Sequence, residues 1–290
     1  MTAWHRRRIV GNRTVALVLA AVVTLAANAA EPLRLSFAVG DQYAFRHTLE
    51  TVTDVKIPFP QKTTQTMRYT LDQRVKAVDA DTGDATIEVR FRHVFVEVDM
   101  GEMGGFKVDT ADEDSRDSAT YRKLIDRPFT MRVTPRGKVL EVTGLTPLVQ
   151  EVLASGGADR VTMEQVETIV GDESMMGMYQ SFQPIYPEDA TNEWETESTV
   201  SLPMLGPAAI RVLWTLGESH EVDGHAATPV AAAGEVTTPS EPTTTSLGFA
   251  EMELRLRSMT STGVIDISNE DGWPLRGEII SDGVMGMKLR

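Results

Sequence analysis

Apolar and polar residues alternate with a period of two along much of the chain. In residues 85–100 (ATIEVRFRHVFVEVDM), apolar side chains recur at every second position, and their phase shifts by one residue near His93. Such alternation is typical of strands that bury one face, and a one-residue phase shift is typical of a β-bulge. Residues 41–57 and 63–78 show partial alternation with many Thr, Val and aromatic residues. We therefore predict strands over all three segments.

The middle of the chain changes to a helical period. Residues 145–155 and 158–182 place apolar side chains three and four positions apart, which predicts helices. Thr146 before Pro147 is typical of an N-cap followed by proline at the first helical position. Strand patterns return from Trp194 onward, so we interpret residues 145–183 as a helical insertion between two sets of strands.

Glycine-containing turns close both sets of strands. Gly137 in TPRGKVLEVTG (134–144) and Gly272 in SNEDGWPLRGEI (268–279) lie between apolar-alternating runs, where a tight hairpin favours a residue with positive φ. The offset between equivalent landmarks is 151 for Tyr43 and Trp194, 141 for Gly83 and Gly224, and 135 for Gly137 and Gly272. A duplicated β unit with shorter loops in its second copy explains this trend, but an ordinary meander also explains it without duplication.

These patterns predict a mainly β protein with a curved antiparallel sheet and a central helical insertion. The sheet forms a half-barrel or a sandwich, with or without internal duplication. We expect one β-rich domain over residues 30–290, with pseudo-halves 36–144 and 187–290 on either side of the insertion at 145–183. The low-complexity stretch TTPSEPTTTS (237–246) predicts a flexible hairpin loop.

The first 29 residues have the pattern of a secretory signal peptide. A basic start with four arginines precedes the apolar run 15–27, and Ala27-Asn28-Ala29 then provides small residues at the positions that a signal peptidase reads. The apolar run is shorter than the ~20 residues that cross a bilayer. We therefore expect cleavage near Ala29–Ala30 rather than a membrane anchor.

Charge and cysteine content narrow the function classes. The whole chain has a formal charge of −14, and the chain without its leader would have 24 basic and 42 acidic side chains, about −18. Such a charge repels nucleic acid and anionic lipid. Since there is no cysteine, neither disulfides nor a lipid anchor on cysteine is expected. We predict a periplasmic or secreted soluble protein without a membrane span after cleavage.

Several of these motifs occur together in a known group of proteins. The chain combines Gly40-Asp41-x-Tyr43, the region around Asp109, TMRVTPRGKVLEVTG, YPEDATNEW and GVIDISNEDGWPLRGEI. This combination resembles a family of exported bacterial β-rich proteins that is catalogued only as a domain of unknown function, over nearly all of residues 36–285. The second aromatic strand opens Thr191-Asn192-Glu193-Trp194 instead of the family's Gly-Asp-x-Trp. The resemblance implies an envelope or secreted protein, and it implies no catalytic residues.

No motif predicts an active site or a metal centre. HEVDGH (220–225) is one residue longer than the zinc motif H-E-x-x-H, and Asp223-Gly224 predicts a turn rather than the helix that motif requires. The acidic stretch DTADEDSRD (109–117) lacks the glycine and glutamate positions of an EF-hand. There is no G-x-S-x-G serine and no phosphate-binding glycine loop. We predict no catalytic residues, no bound metal and no cofactor.

The stretch DESMMGMYQSF (172–182) is the strongest candidate for a binding site. A helix here would place Met175, Tyr179 and Phe182 on one face, with Met178 beside them. Methionine fills apolar surfaces that adapt to varied ligands, and thioethers also bind cuprous ion. Packing of this face onto the sheet explains the spacing without any ligand.

The functional hypothesis is non-catalytic binding. We expect the sheet and the helices to hold an apolar molecule such as a lipid, or a partner segment, with Met175, Met178, Tyr179 and Phe182 as the lining. The alternative is a structural or protein-interaction module of the envelope that acts through a sheet edge or through the 237–246 loop. A hydrolase without a recognisable motif is a weaker alternative.

Overall fold

The computed structural model describes ten segments of the chain. They are residues 2–7, 33–55, 61–99, 101, 104–115, 118–155, 171–202, 206–238, 243–246 and 251–289. The predicted cleavage position and the predicted helical residues 158–170 lie outside these segments, as do most residues of the predicted signal peptide.

The described residues form fourteen strands and three helices. In chain order these are β1 (Thr2–Arg7), β2 (Gln42–Val55), β3 (Gln61–Val78), β4 (Ala85–Asp99), β5 (Gly105–Asp109), α1 (Ser118–Arg122), β6 (Pro128–Val133), β7 (Val139–Thr143), α2 (Leu145–Ser155), α3 (Asp172–Phe182), β8 (Glu193–Leu202), β9 (Gly206–Leu216), β10 (His220–Val222), β11 (His225–Thr237), β12 (Thr243–Ser246), β13 (Glu251–Ser268) and β14 (Pro274–Leu289).

Two antiparallel meanders make up the sheet. The N-terminal meander has the strand order β7-β6-β4-β3-β2, the C-terminal meander has the order β14-β13-β11-β9-β8, and β1 lies between β2 and β14. The short strands β5, β10 and β12 each pair with one neighbour at the side. The mainly β, antiparallel prediction with a helical insertion is confirmed, and in the described residues β7 and β8 do not pair to close a barrel.

Strand β4 shows how the sequence pattern sets the inner face. Ile87, Val89 and Phe91 are completely buried, while Arg92 between the two phases is exposed. The pairing of β3 with β4 skips Arg92, because Thr70 lies opposite His93 and Leu71 lies opposite Phe91. The bulge predicted near His93 is therefore present, and it restores the inward direction for Val94.

The two longer helices are joined at their N-termini. Asp172 of α3 accepts hydrogen bonds from the backbone N–H groups of Leu145 (2.8 Å) and Thr146 (3.2 Å), while Thr146 Oγ1 accepts one from the Asp172 N–H at 2.9 Å. The prediction of Thr146 as the N-cap is wrong, because α2 already begins at Leu145 and its free N–H groups find an acceptor in α3.

The closing turn of each meander contacts the segment that leads into the other meander. The Ser36 N–H donates to the Asp271 carbonyl at 2.9 Å, and the Tyr186 N–H donates to the Arg136 carbonyl at 2.7 Å. Ser36 precedes β2 and Tyr186 precedes β8, whereas Arg136 and Asp271 belong to the β6–β7 and β13–β14 turns. We call this pair of contacts the reciprocal clasp.

Glycine makes the clasp possible at both turns. Gly137 has φ +82° and Gly272 has φ +73°. A Cβ on Gly137 would lie 2.5 Å from the Pro184 carbonyl oxygen, and one on Gly272 would lie 2.0 Å from that of Arg34. The matching strand order and the exchanged contacts are what two copies of one unit would produce around an approximate two-fold axis. Strand order and contacts do not decide between duplication and an ordinary meander, so the duplicated unit stays a prediction.

One predicted loop is partly a strand. Residues 243–246 of the stretch 237–246 form β12, which pairs with residues 251–254 of β13. The prediction of a flexible loop is wrong for this part. Four threonine and serine residues in a row fit a strand when a neighbouring edge supplies the pairing.

Candidate functional site

Helix α3 contacts both end strands of the sheet. It packs against β7 and β8, and the side-chain carbonyl of Gln180 accepts a hydrogen bond from the Val139 N–H of β7 at 2.9 Å. The helix is thus fixed to the sheet by a polar contact as well as by its apolar face.

Two of the four predicted ligand residues belong to the packed core. Met175 and Tyr179 are buried. The Gln73 amide of β3 donates to the Tyr179 hydroxyl oxygen at 2.7 Å, and burial raises the pKa of Tyr179. The Tyr179 hydroxyl has a buried hydrogen-bond partner, and both side chains belong to the apolar core. Packing of the helix onto the sheet therefore accounts for Met175 and Tyr179 without a ligand.

The other two predicted ligand residues differ from them. Met178 is only partly buried and packs against the core together with Met176. Phe182 is the last residue of α3, and its side chain lies outside the described part of the structure. Whether these residues line a ligand site stays a prediction.

The HEVDGH motif forms a hairpin. Asp223 (φ 50°) and Gly224 (φ 81°) both have positive φ, as in a type I′ turn, which confirms the predicted turn. His220 Nε2 lies 3.2 Å from one oxygen of Asp266, and Arg276 Nε donates to the other oxygen at 2.7 Å. Asp266 is buried and paired with a cation on β14, so these contacts resemble a structural ion cluster.

The acidic stretch also has local partners. His93 Nε2 lies 2.8 Å from Asp109, and this hydrogen bond is the main cause that lowers the pKa of Asp109. The Asp109 N–H donates to Ser118 Oγ at 2.8 Å. Among the described residues, no group of three or more His, Asp or Glu side chains is arranged to hold a metal ion.

An exposed apolar surface covers the outer face of the C-terminal meander. Its large members are Leu213 (40% exposed), Val264 (47%), Ile280 (45%) and Val284 (55%). Strand pairing places Leu213, Ala233, Thr262 and Ile280 in one row across β9, β11, β13 and β14, with Ala231 and Val264 in the next row. We call the six residues of these two rows the outer apolar patch, and Val284, opposite Ser258, lies beyond a further row.

Charged residues lie on both sides of this patch. Glu278 continues the Val264 row, and a third row contains Arg211, Glu235, Thr260 and Asp282. Arg211 is already paired with Glu195 at 2.9 Å. The rim of the outer apolar patch is therefore acidic. Apolar surfaces with a polar rim are typical of interaction sites.

The sequence contained a signal for this patch that the motif search missed. In STGVIDIS (261–268) and GEIISD (277–282), neighbouring residues are apolar, so both faces of the strand carry apolar side chains. Ile265 points into the core while Val264 stays exposed. Asp266 and Arg276 were also missed, because their pairing depends on strand register.

Fold and surface together define a class. This is a two-meander antiparallel β protein whose exposed feature is an apolar sheet face, and no helix among the described residues is long and apolar enough to cross a membrane. Residues 82–274 match the model of DUF6263, a family of unknown function, and the chain belongs to this family. Comparison with the curated proteins and with the solved structures finds no match. The match begins after β3, so it is shorter than the predicted resemblance over 36–285.

Proposed function

We propose that this protein is an exported, non-catalytic interaction module that binds a protein partner through the outer apolar patch. The observation that supports this function is the exposure of Leu213, Val264 and Ile280 on one continuous sheet face. Covering apolar surface removes it from water and so favours association. The partner is expected to have an apolar centre and a basic rim, because Glu235, Glu278 and Asp282 surround the patch.

The same rim argues against self-association through the patch. Two copies face to face would bring their acidic rims together, and like charges at an interface are unfavourable. The formal charge of −14 adds to this repulsion. Sedimentation velocity at low salt should therefore show a monomer, and a dimer that disappears in Val264→Glu would contradict the proposed heterologous partner.

Site-specific crosslinking in intact cells tests the proposal. A photoreactive amino acid replaces Val264 or Ile280, and the matched control replaces Thr70 on the outer face of the N-terminal meander. We expect one discrete adduct from the first two positions and none from the control. The adduct should also disappear in a second chain that carries Leu213→Glu. Equal labelling at all three positions would count against a defined partner.

An apolar ligand held against α3 is the second candidate function. It is supported by the partial burial of Met176 and Met178 on a helix that packs against both outer strands. Native mass spectrometry of protein purified from its own envelope tests this candidate. A bound lipid whose occupancy falls in Met178→Ala would support it, whereas a ligand-free protein at every detergent concentration would contradict it.

A further inference from the structure

The two junctions between the meanders are covered in different ways. At one junction the outer strands β7 and β8 contact α3, which is held by the Gln180 hydrogen bond. At the other junction, β1 lies between β2 and β14 and pairs antiparallel with both. Strands β2 and β14 therefore run parallel to each other with one strand between them, about two strand spacings or ~9.6 Å apart.

The strand at this second junction lies inside the predicted signal peptide. Thr2 is opposite both Leu49 and Ile279, and Ala3 is opposite both Thr48 and Glu278. If the leader is removed on export, as proposed above, β1 leaves with it. Two facing sheet edges then lose their pairing along β2 and β14, and unpaired edges readily accept another strand.

The base of this junction is fixed by contacts that do not involve β1. The Tyr43 and Trp273 rings lie 4.6 Å apart, and the Phe45 and Trp273 rings lie 5.7 Å apart. The Ser36 N–H also donates to the Asp271 carbonyl at 2.9 Å. These contacts hold the first residues of β2 beside the first residues of β14 without β1. We call the space that β1 occupies between these two strands the slot.

We propose that this slot binds an extended segment of the partner polypeptide as a strand antiparallel to both β2 and β14. Only a polypeptide backbone supplies donors and acceptors to two facing edges at the strand repeat, which is how strand addition works. Inward-facing positions of the segment would lie beside Phe45 and Ile279, so they are expected to be apolar. Outward-facing positions would lie beside Ile280, which belongs to the outer apolar patch.

This inference deepens the proposed function and depends on export with leader removal. One partner would place a strand in the slot and an adjoining apolar surface on the patch, because β14 borders both. The slot is tested separately from the patch, so that one can fail without the other.

The test uses the full chain expressed with export, with the new N-terminus established by intact mass. The probe is a synthetic peptide of residues 2–13, since the structure places the strand part of this segment in the slot. The control peptide has the same sequence with N-methyl groups at alternate residues, which keep charge and side chains but remove backbone donors. Hydrogen exchange of segments 43–49 and 276–282 is measured with and without each peptide.

In the processed chain we expect fast exchange of the amides of both segments that point into the slot and not toward β3 or β13, and slowing of these amides by about tenfold or more with the unmodified peptide only. Three results would overturn the slot. Protection of the slot-facing amides without peptide would mean that β2 and β14 pair directly. Equal effects of both peptides would mean binding by charge, and a chain that keeps its first 29 residues would keep β1 in place. None of these results affects crosslinking from Val264 or Ile280. Failure of the slot can therefore be distinguished from failure of partner binding at the outer apolar patch.

Discussion

The two meanders have the same strand order, but their outer faces differ in chemical character. On the N-terminal meander, charges of both signs pair with one another: Glu88 contacts Lys76 and Arg90, and Asp72 contacts Arg92. The equivalent face of the C-terminal meander carries the outer apolar patch. The inner faces of both meanders join one apolar core.

This difference shows that the fold constrains the inner face of each meander but not the outer face. A meander must bury one face, so both halves keep apolar inward positions. The outer face has no such requirement. An outer surface of paired charges is stable in water and needs no binding partner. The exposed apolar face is therefore the half of the molecule in which a binding role is expected.

The largest expected effect comes from filling the closing turns of the reciprocal clasp. Gly272→Ala adds a side chain at positive φ that meets the Arg34 carbonyl, and we expect a loss of about 4 kcal/mol in the free energy of unfolding. Gly137→Ala should cost about 3 kcal/mol, because its nearest contact is less close. Urea denaturation followed by circular dichroism measures both.

Gly224→Ala is the matched control for these two substitutions. Its φ is +81°, but nothing lies within 4 Å of the added Cβ. We expect a cost of only about 1 kcal/mol, from the backbone conformation alone. Equal costs at all three glycines would show that the close approach between the meanders has no energetic importance.

Acid should weaken the N-terminal meander through His47. Burial lowers the pKa of His47 from 6.5 to about 4. The unfolded chain then binds more protons between these two pH values, so stability falls as the pH drops from 6.5 to 4. Complete titration corresponds to about 3 kcal/mol.

His47→Phe should remove this part of the pH dependence. Urea midpoints at pH 7 and pH 4 are compared for both chains, with His225→Gln as the control because His225 lies in the β10–β11 hairpin, outside the N-terminal meander. We expect the wild-type chain and the control to lose more stability than His47→Phe. The same loss in all three chains would contradict the role of His47.

Tyr186→Phe probes the clasp by removing a single hydroxyl group. The Tyr186 hydroxyl is fully buried and donates to the Gly272 carbonyl at 2.6 Å. Its loss leaves a buried acceptor without this donor, so we expect a cost of about 2 kcal/mol in urea unfolding. A cost below the error of that measurement would show that the contact is not needed to hold the turn.

The smallest effects are expected on the two outer faces. Arg92→Ala removes an exposed ion pair with Asp72 and should cost less than about 1 kcal/mol, with a smaller cost at high salt. Ile280→Thr should change stability by less than about 0.5 kcal/mol yet reduce crosslinking to the partner. A large loss of stability in Ile280→Thr would mean that the patch serves folding rather than binding.

The sequence predicted the elements that depend on local pattern. Strand β4 with its bulge at Arg92, helix α2 over residues 145–155 and the turns at Gly137 and Gly224 all follow from period and turn chemistry. The resemblance also led to the correct family. In each of these cases the residues within one short segment determine the result.

The features that were missed depend on residues far apart in the chain. Asp172 supplies acceptors to α2 from 26 or 27 positions away, so no local rule finds it. The partners of Asp266 become visible only when the β13–β14 register is known. The outer apolar patch likewise forms by alignment of four strands, although the apolar pairs in β13 and β14 pointed to it.

Native-state hydrogen exchange of the clasp amides tests the central claim, that the two meanders form one cooperative unit. The Ser36 and Tyr186 N–H groups each donate to a carbonyl in the closing turn of the other meander. We predict that these two amides exchange with the same opening free energy as amides of β4 and β13, and that exchange of all these amides accelerates together as urea is added. Exchange of the two clasp amides at the rate of exposed loops, while β4 and β13 stay protected, would contradict the claim.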